Sequence, residues 1–251
     1  MVNENIRLDH KMILGLVDPR STVLDLGCGN GELLYILIKE KNIRGQGIEI
    51  DEQAIYKCVA KGLNVFHGDI DTGLAEYRDK SFDYVILNQS LQQVQHVDKV
   101  LIDALRAGKK VIVGIPNFAY YVSRLQVFFR GRVPVTPSLP YGWYETPNLH
   151  FLSISDFISY CRLKRIKIEK SIYLNERRDI VFLPNLFAQT GIFLISSIIK
   201  DPGKNDYTGT FDKSAIDTWR EMIYFFARDY SDLVIDEVVG ENWAQGEKFF
   251  A

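Results

Sequence analysis

The sequence predicts an α/β fold: a doubly wound, mostly parallel sheet with an antiparallel edge, followed by a C-terminal helical extension. Three observations carry this. Short β-rich runs alternate with helical stretches through the first 200 residues, as βαβ units require. Residues 23–37, VLDLGCGNGELLYIL, pass from an apolar strand through three glycines at alternate positions into a helical pattern. The last two β-rich runs have too little helix between them for a parallel crossover, so they pair antiparallel.

The elements follow in order. A first strand at 23–26 leads through the glycines to a helix opening at 32–39. GQGIEI (45–50) is the second strand, and the helix 52–61 is stopped by Gly62. NVFHGDI (64–70) holds the third strand and FDYVIL (82–87) the fourth, with a helix at 97–105. KKVIVGIP (109–116) is a continuous apolar run ended by proline, the mark of a strand covered on both faces. An aromatic-rich helix is predicted at 120–129 and another at 155–162, with Ser153 or Ser155 as its cap and Asp156 in its first turn. Runs 166–173 and 191–198 form the antiparallel edge.

Two segments exceed a minimal α/β domain. Residues 131–151, GRVPVTPSLPYGWYETPNLHF, hold four prolines and a dense aromatic cluster. Residues 201–251 begin as a linker by composition and continue with Ile216, Trp219, Ile223, Phe226 and Tyr230 at the spacing of an amphipathic helix. This extension carries a net charge of −6 against −2 for the whole chain, leaving +4 on residues 1–200. The expected division is therefore a domain at 1–200 and an acidic extension at 201–251. Its stripe docks on its own domain, or pairs with a second copy as a homodimer or with another protein.

Composition narrows the function. With 251 residues, 47% of them apolar and 25% charged, the chain can bury a full core. A net charge near zero gives no support to general nucleic-acid or membrane-surface binding. The start, MVNENIRLDH, has no apolar signal region, and residues 187–199 are too short and polar to span a bilayer. Cys28, Cys58 and Cys161 lie far apart without a C-x-x-C pair, as expected of free thiols in a cytoplasmic protein. His10, His67, His96 and His150 lack metal-ligand spacing, so no metal site is expected.

The glycines decide the ligand class. A dinucleotide fingerprint is G-x-G-x-x-G, whereas here Asp25 precedes Gly27, Gly29 and Gly31 as D-x-G-x-G-x-G, and Glu32 replaces the third dinucleotide glycine. An acid in that first helical turn would repel a pyrophosphate. Asp25 asks instead for a cationic or amine group, and S-adenosylmethionine, with its ammonium and sulfonium, fits. Glu49, at the end of the second strand, is placed to accept from both ribose hydroxyls. Asp69, at the end of the third, is placed to accept from the adenine amine, with Ile70 covering the ring.

This ordered set is similar to that of class I S-adenosylmethionine-dependent methyltransferases, whose Rossmann-like sheet has seven strands. VLDLGCGNGELL, GQGIEID, GDID, SFDYVILNQSLQ, IPNF, LPYGWYETPNLH and DFISYCR, in that order, resemble more narrowly the methionine biosynthesis protein MetW family, over residues 7–198. The resemblance implies Asp25, Gly27, Cys28 and Gly29 around the methionyl end. It puts Glu49 with Ile50 at the ribose, Asp69 and Ile70 at adenine, and Asn88 and Gln89 near the sulfonium. IPNF follows the fifth strand, not the fourth, so its Asn117 is no substitute for the NPPY-type or DPPY-type signature of nucleic-acid amino-methylating enzymes, which argues against a nucleic-acid substrate. The resemblance also implies a partner, homoserine O-acyltransferase, in methionine biosynthesis. The expected function is then an S-adenosylmethionine-binding partner or regulator of that enzyme. The alternative is an active methyltransferase on a small-molecule acceptor. For the latter His150 is the candidate base, near Tyr141, Trp143, Tyr144 and Glu145. The competing reading has Trp143 and Tyr144 as core and His150 bonded to backbone. His96 is read as a helix-surface residue.

Overall fold

The computed structural model describes residues 6–72 and 74–196, so the expectations for 201–251 and for the end of the last strand lie outside the described residues. The strands are β1 (Thr22–Leu26), β2 (Arg44–Glu49), β3 (Val65–His67), β4 (Phe82–Asn88), β5 (Gly108–Pro116), β6 (Lys167–Leu174) and β7 (Thr190–Ser196). They form one seven-stranded sheet in the order β3-β2-β1-β4-β5-β7-β6. β1 to β5 pair in parallel, and β7 pairs antiparallel with both β5 and β6.

Alternation along the strands explains why they read as continuous apolar runs. Leu24 and Leu26 of β1 and Val111, Val113 and Ile115 of β5 point into one core. That core is closed by α4 (Val97–Ala107) and α6 (Ile154–Leu163), through Leu101, Ala104, Phe157 and Cys161. Val23 and Ile112 point the other way, into a core closed by α1 (Leu8–Leu16), α2 (Glu32–Lys41) and α3 (Glu52–Ala60). A sheet buried on both faces is apolar at most of its central positions. Phe193 of β7 is fully buried, 4.6 Å from Phe157 and 6.0 Å from Tyr173 between ring centroids. Phe193→Ala is expected to cost about 3–5 kcal/mol of stability, checked by denaturant unfolding.

The helix starts follow local chemistry. Ser153 caps α6 in a reciprocal box with Asp156, the first of the two caps weighed above. Asp51 caps α3 by accepting from the Gln53 amide. Two elements and one boundary differ from the sequence reading. α1 was not anticipated, although Leu8, Met12, Ile13 and Leu16 recur at helical spacing. α5 (Tyr121–Arg130) is followed much later by a short α7 (Pro184–Phe187) in the β6–β7 connection, also unanticipated. The third strand stops at His67, because Asp69 accepts from the Asp71 amide and turns Ile70–Thr72 into a single 3-10 turn.

Candidate functional site

The sheet order reverses between β1 and β4, and there, beyond the carboxyl ends of the strands, lies a cleft of about 180 Å³. Its floor is the loop that leaves β1: Asp25, Gly27, Cys28, Gly29 and Asn30. Asn88 and Gln89 wall it from β4, Glu32 and Leu33 from α2, and Arg7 and His10 from α1.

The alternate glycines serve different ends. Gly29 has φ +54 and nothing within 4 Å of where a Cβ would stand, so its missing side chain leaves the cleft open. Gly31 has φ +72, and a Cβ there would lie 2.3 Å from Leu63 Cδ1 and 2.8 Å from Cys58 Sγ. That glycine lets α3 pack beneath the loop. Glu49 holds the loop from below: Oε2 accepts from the Gly29 amide at 2.6 Å, and Oε1 from the Ile50 and Asp51 amides at 2.9 and 3.0 Å.

Asp25 is the electrostatic centre. It is 2% exposed, and among the described residues no hydrogen bond reaches its carboxyl. Burial, with the Glu49 charge adding to it, pushes this carboxyl up to about 7. Burial also raises the Cys28 thiol, helped by Asp25, so Cys28 is a packed, un-ionised group against Gly47.

The α1 wall was missed by sequence reasoning. Arg7 pairs with Asp9 at 2.7 Å, and Asp9 Oδ2 accepts from Asn88 Nδ2 at 3.0 Å, tying α1 to the end of β4. Burial opposes ionisation of Asp9, but His10, Asn88 and Arg7 outweigh it and hold the carboxyl below its ordinary value. Burial lowers the His10 imidazole, which is 4% exposed and whose Nδ1 has no partner among the described residues. Asn88 Oδ1 is likewise buried and without a partner among the described residues, lying where a side chain on Gly114 would stand. The signal for this wall was the helical spacing of Leu8, Met12, Ile13 and Leu16 around Asp9 and His10.

Gln89 has φ +62, an uncommon backbone for glutamine, fixed by its amide donating to Gly114 O and its carbonyl accepting from the Gln92 and Gln93 side chains. Gln92 O in turn accepts from the Leu149 and His150 amides, so the aromatic insert is fastened three residues from the cleft.

The remaining sequence-predicted residues lie around rather than in the cleft. Ile50 is 60% exposed, Asp69 is exposed, and Ile70 is half-buried against the α4 side of the core. His150 is exposed and outside the cleft lining. Trp143 and Tyr144 are exposed rather than core residues. Asn117 is fully buried, donating to Asn185 and Ala188 carbonyls and accepting from the Ala119 and Ile154 amides, a structural pin for the β7 edge. A second hollow, lined by Asp18, Arg20, Asp83, Lys109 and Lys110, lies at the opposite end of the strands, where Lys109 pairs with Asp83. Among the described residues no three His, Cys, Asp or Glu side chains gather to hold a metal, and no helix is long and apolar enough to cross a membrane.

Known proteins match this chain in sequence and in fold. A solved S-adenosylmethionine-dependent methyltransferase from Thermotoga maritima aligns with a TM-score of 0.55, covering 75% of this chain and 87% of its own at 18% identity. The cyclase SpnF aligns with a TM-score of 0.54, covering 75% and 80% at 14% identity. At these identities the likeness is one of fold, and a fold shared by a methyltransferase and a cyclase names no reaction. A curated relative from Rhodopirellula baltica, the bifunctional methionine biosynthesis protein MetXA/MetW, is 32% identical over 200 residues. The match covers 74% of this chain but 32% of the relative, so the chain spans about a third of that protein. The family model of methionine biosynthesis protein MetW matches residues 7–195, from the arginine of the α1 wall to the last strand, and the chain therefore belongs to the MetW family.

Proposed function

We propose that this chain binds S-adenosylmethionine in the β1–β4 cleft and acts with a homoserine O-acyltransferase, to which it reports the level of a compound made from methionine. The observation that carries the ligand is Asp25, a buried carboxyl without a hydrogen-bond donor among the described residues, set under a glycine loop in an open cleft. Such a group is relieved by a cation, and the ligand's ammonium supplies one. In this reading the methionyl chain lies on Gly27, Cys28 and Gly29, with Asn88 and Gln89 near the sulfonium. The ribose hydroxyls use the remaining lone pairs of Glu49, and Ile50, Asp69 and Ile70 bound the adenine. The partner is supported by the bifunctional relative, which joins a MetXA part and a MetW part in one chain. Reporting requires only that the ligand bind two states of the complex unequally.

A second reading, methyl transfer to a small-molecule acceptor, draws on His10, a buried imidazole on the cleft wall whose Nδ1 has no partner among the described residues. His150 is the other candidate base. Titration of the purified chain with S-adenosylmethionine by calorimetry is expected to show saturable binding, and host extract with methyl-labelled ligand to show no labelled product. Absence of binding at millimolar ligand sinks the first reading. A labelled product that depends on this chain, and falls with His10→Ala or His150→Ala, establishes the second.

A further inference from the structure

Helix α5 turns its apolar residues away from both cores of the described residues. Tyr121, Leu125 and Phe128 recur at spacings of four and three, which puts them on one helix face, with Phe129 beside them. All four are exposed, Phe128 at 78%. The residue α5 buries is Ser123, and none of its side chains joins either core. A helix held to its own domain by its apolar stripe has the reverse arrangement. The β6–β7 connection extends the surface with Val181, Phe182, Leu183 and Phe187, all exposed. The Phe187 ring lies 5.9 Å from Tyr121 and 6.3 Å from Phe182, so the two segments are continuous. Together these side chains expose on the order of 1,000 Å². A monomer's ordinary apolar patch is a few hundred Å², and one partner of a standard interface contributes about 800 Å².

Charge narrows the occupant. Residues 121–135 contain Arg124, Arg130 and Arg132 and no acid, and residues 181–190 contain no charge. Arg130 and Arg132 are exposed, with no ion pair among the described residues. A two-fold contact between copies would set this basic border against itself, since such an interface uses the same patch on both sides. The bifunctional relative instead supplies a different protein part that shares a chain with its MetW part.

We propose that the face made by α5 and residues 181–187 docks the acyltransferase, through a partner surface that is apolar at its centre and acidic at its border. The inference rests on the partnership proposed above. It is tested with the full chain and the purified homoserine O-acyltransferase of the same host, by interaction calorimetry and light scattering. Phe128→Asp and Phe182→Asp are each expected to weaken the complex by at least about 30-fold, as loss of a central aromatic anchor does. Tyr56→Asp, an exposed site on α3, should leave it unchanged, and S-adenosylmethionine affinity should be kept by all three. If the wild-type chain does not bind the acyltransferase, the partnership itself fails. If it binds and both aspartate variants bind as well, the partnership stands and the docking face is overturned. Variants that keep the acyltransferase but lose a larger molar mass assign the face to a second copy. Variants whose fall in melting temperature disappears once residues 201–251 are removed assign it to the chain's own end. Either result overturns the proposal.

Discussion

Glu49→Ala is expected to weaken S-adenosylmethionine binding by about 10- to 100-fold and to cost about 1–3 kcal/mol of stability. Both effects follow from one carboxylate doing two jobs. In the unliganded chain it accepts from the amides of Gly29, Ile50 and Asp51, and removing it orphans three donors near the loop. An unsatisfied buried donor costs about 1–3 kcal/mol, and a hydrogen bond to a charged group contributes roughly 1.5–3 kcal/mol, which for the ribose is about 10- to 100-fold in affinity. Glu49→Gln keeps the shape and one acceptor oxygen, so it should retain much of the stability while losing affinity. Calorimetry and thermal melting of the two variants separate these contributions. An affinity unchanged in Glu49→Ala would remove the ribose from this end of β2.

The affinity for S-adenosylmethionine is also expected to fall as pH falls, by roughly 10-fold per unit below about 7. The unliganded Asp25 carboxyl titrates near 7 because burial, and then Glu49, disfavour its charge. A cationic ligand favours the ionised form, so below that pH binding must expel a proton, and affinity drops by up to a factor of ten per unit. Protonation of His10 at lower pH adds a positive charge to the same cleft and acts in the same direction. Calorimetry in buffers of different ionisation heat should detect the released proton at pH 6 and lose it at pH 8. Asp25→Asn should bind more weakly at pH 8 and show a flatter profile, and an Asp25→Asn profile as steep as wild type would assign the dependence to His10. The sign for stability is opposite. Without ligand the folded chain holds a proton on Asp25 that the unfolded chain releases near 3.8, so this residue's contribution to stability declines as pH rises from about 4 to about 7.

The strands were legible because burial on both faces leaves little choice of residue. Runs such as VLDL and KKVIVGIP show this directly. The antiparallel edge was legible from a connection without room for a crossover helix. The glycine loop was legible as well, but the reason for each glycine was not. Sequence cannot tell that Gly31 is filled from below by Leu63 and Cys58 while Gly29 faces open space. Ile70 was expected in a strand, yet the turn set by Asp69 places it against the core, because a three-residue edge strand is held from one side alone. Trp143 and Tyr144 show the converse limit. Aromatic clustering in a sequence says that a surface will be apolar, not which side of it will be covered.

What the sequence determined by itself is therefore local and periodic: seven strands, their intervening helices, the D-x-G-x-G-x-G turn, and the acids at the strand ends. Each depends on residues close together in the chain, and on a periodicity that only one geometry satisfies. Tertiary structure alone decided which distant groups meet. It brought Arg7, Asp9 and His10 against Asn88, some 80 residues away, and set Glu49 under the Gly29 amide. It enclosed Asp25 until its charge became costly, and left the apolar face of α5 exposed among the described residues. Burial and charge proximity are properties of the assembled surface, and they arise only when the chain has folded back on itself.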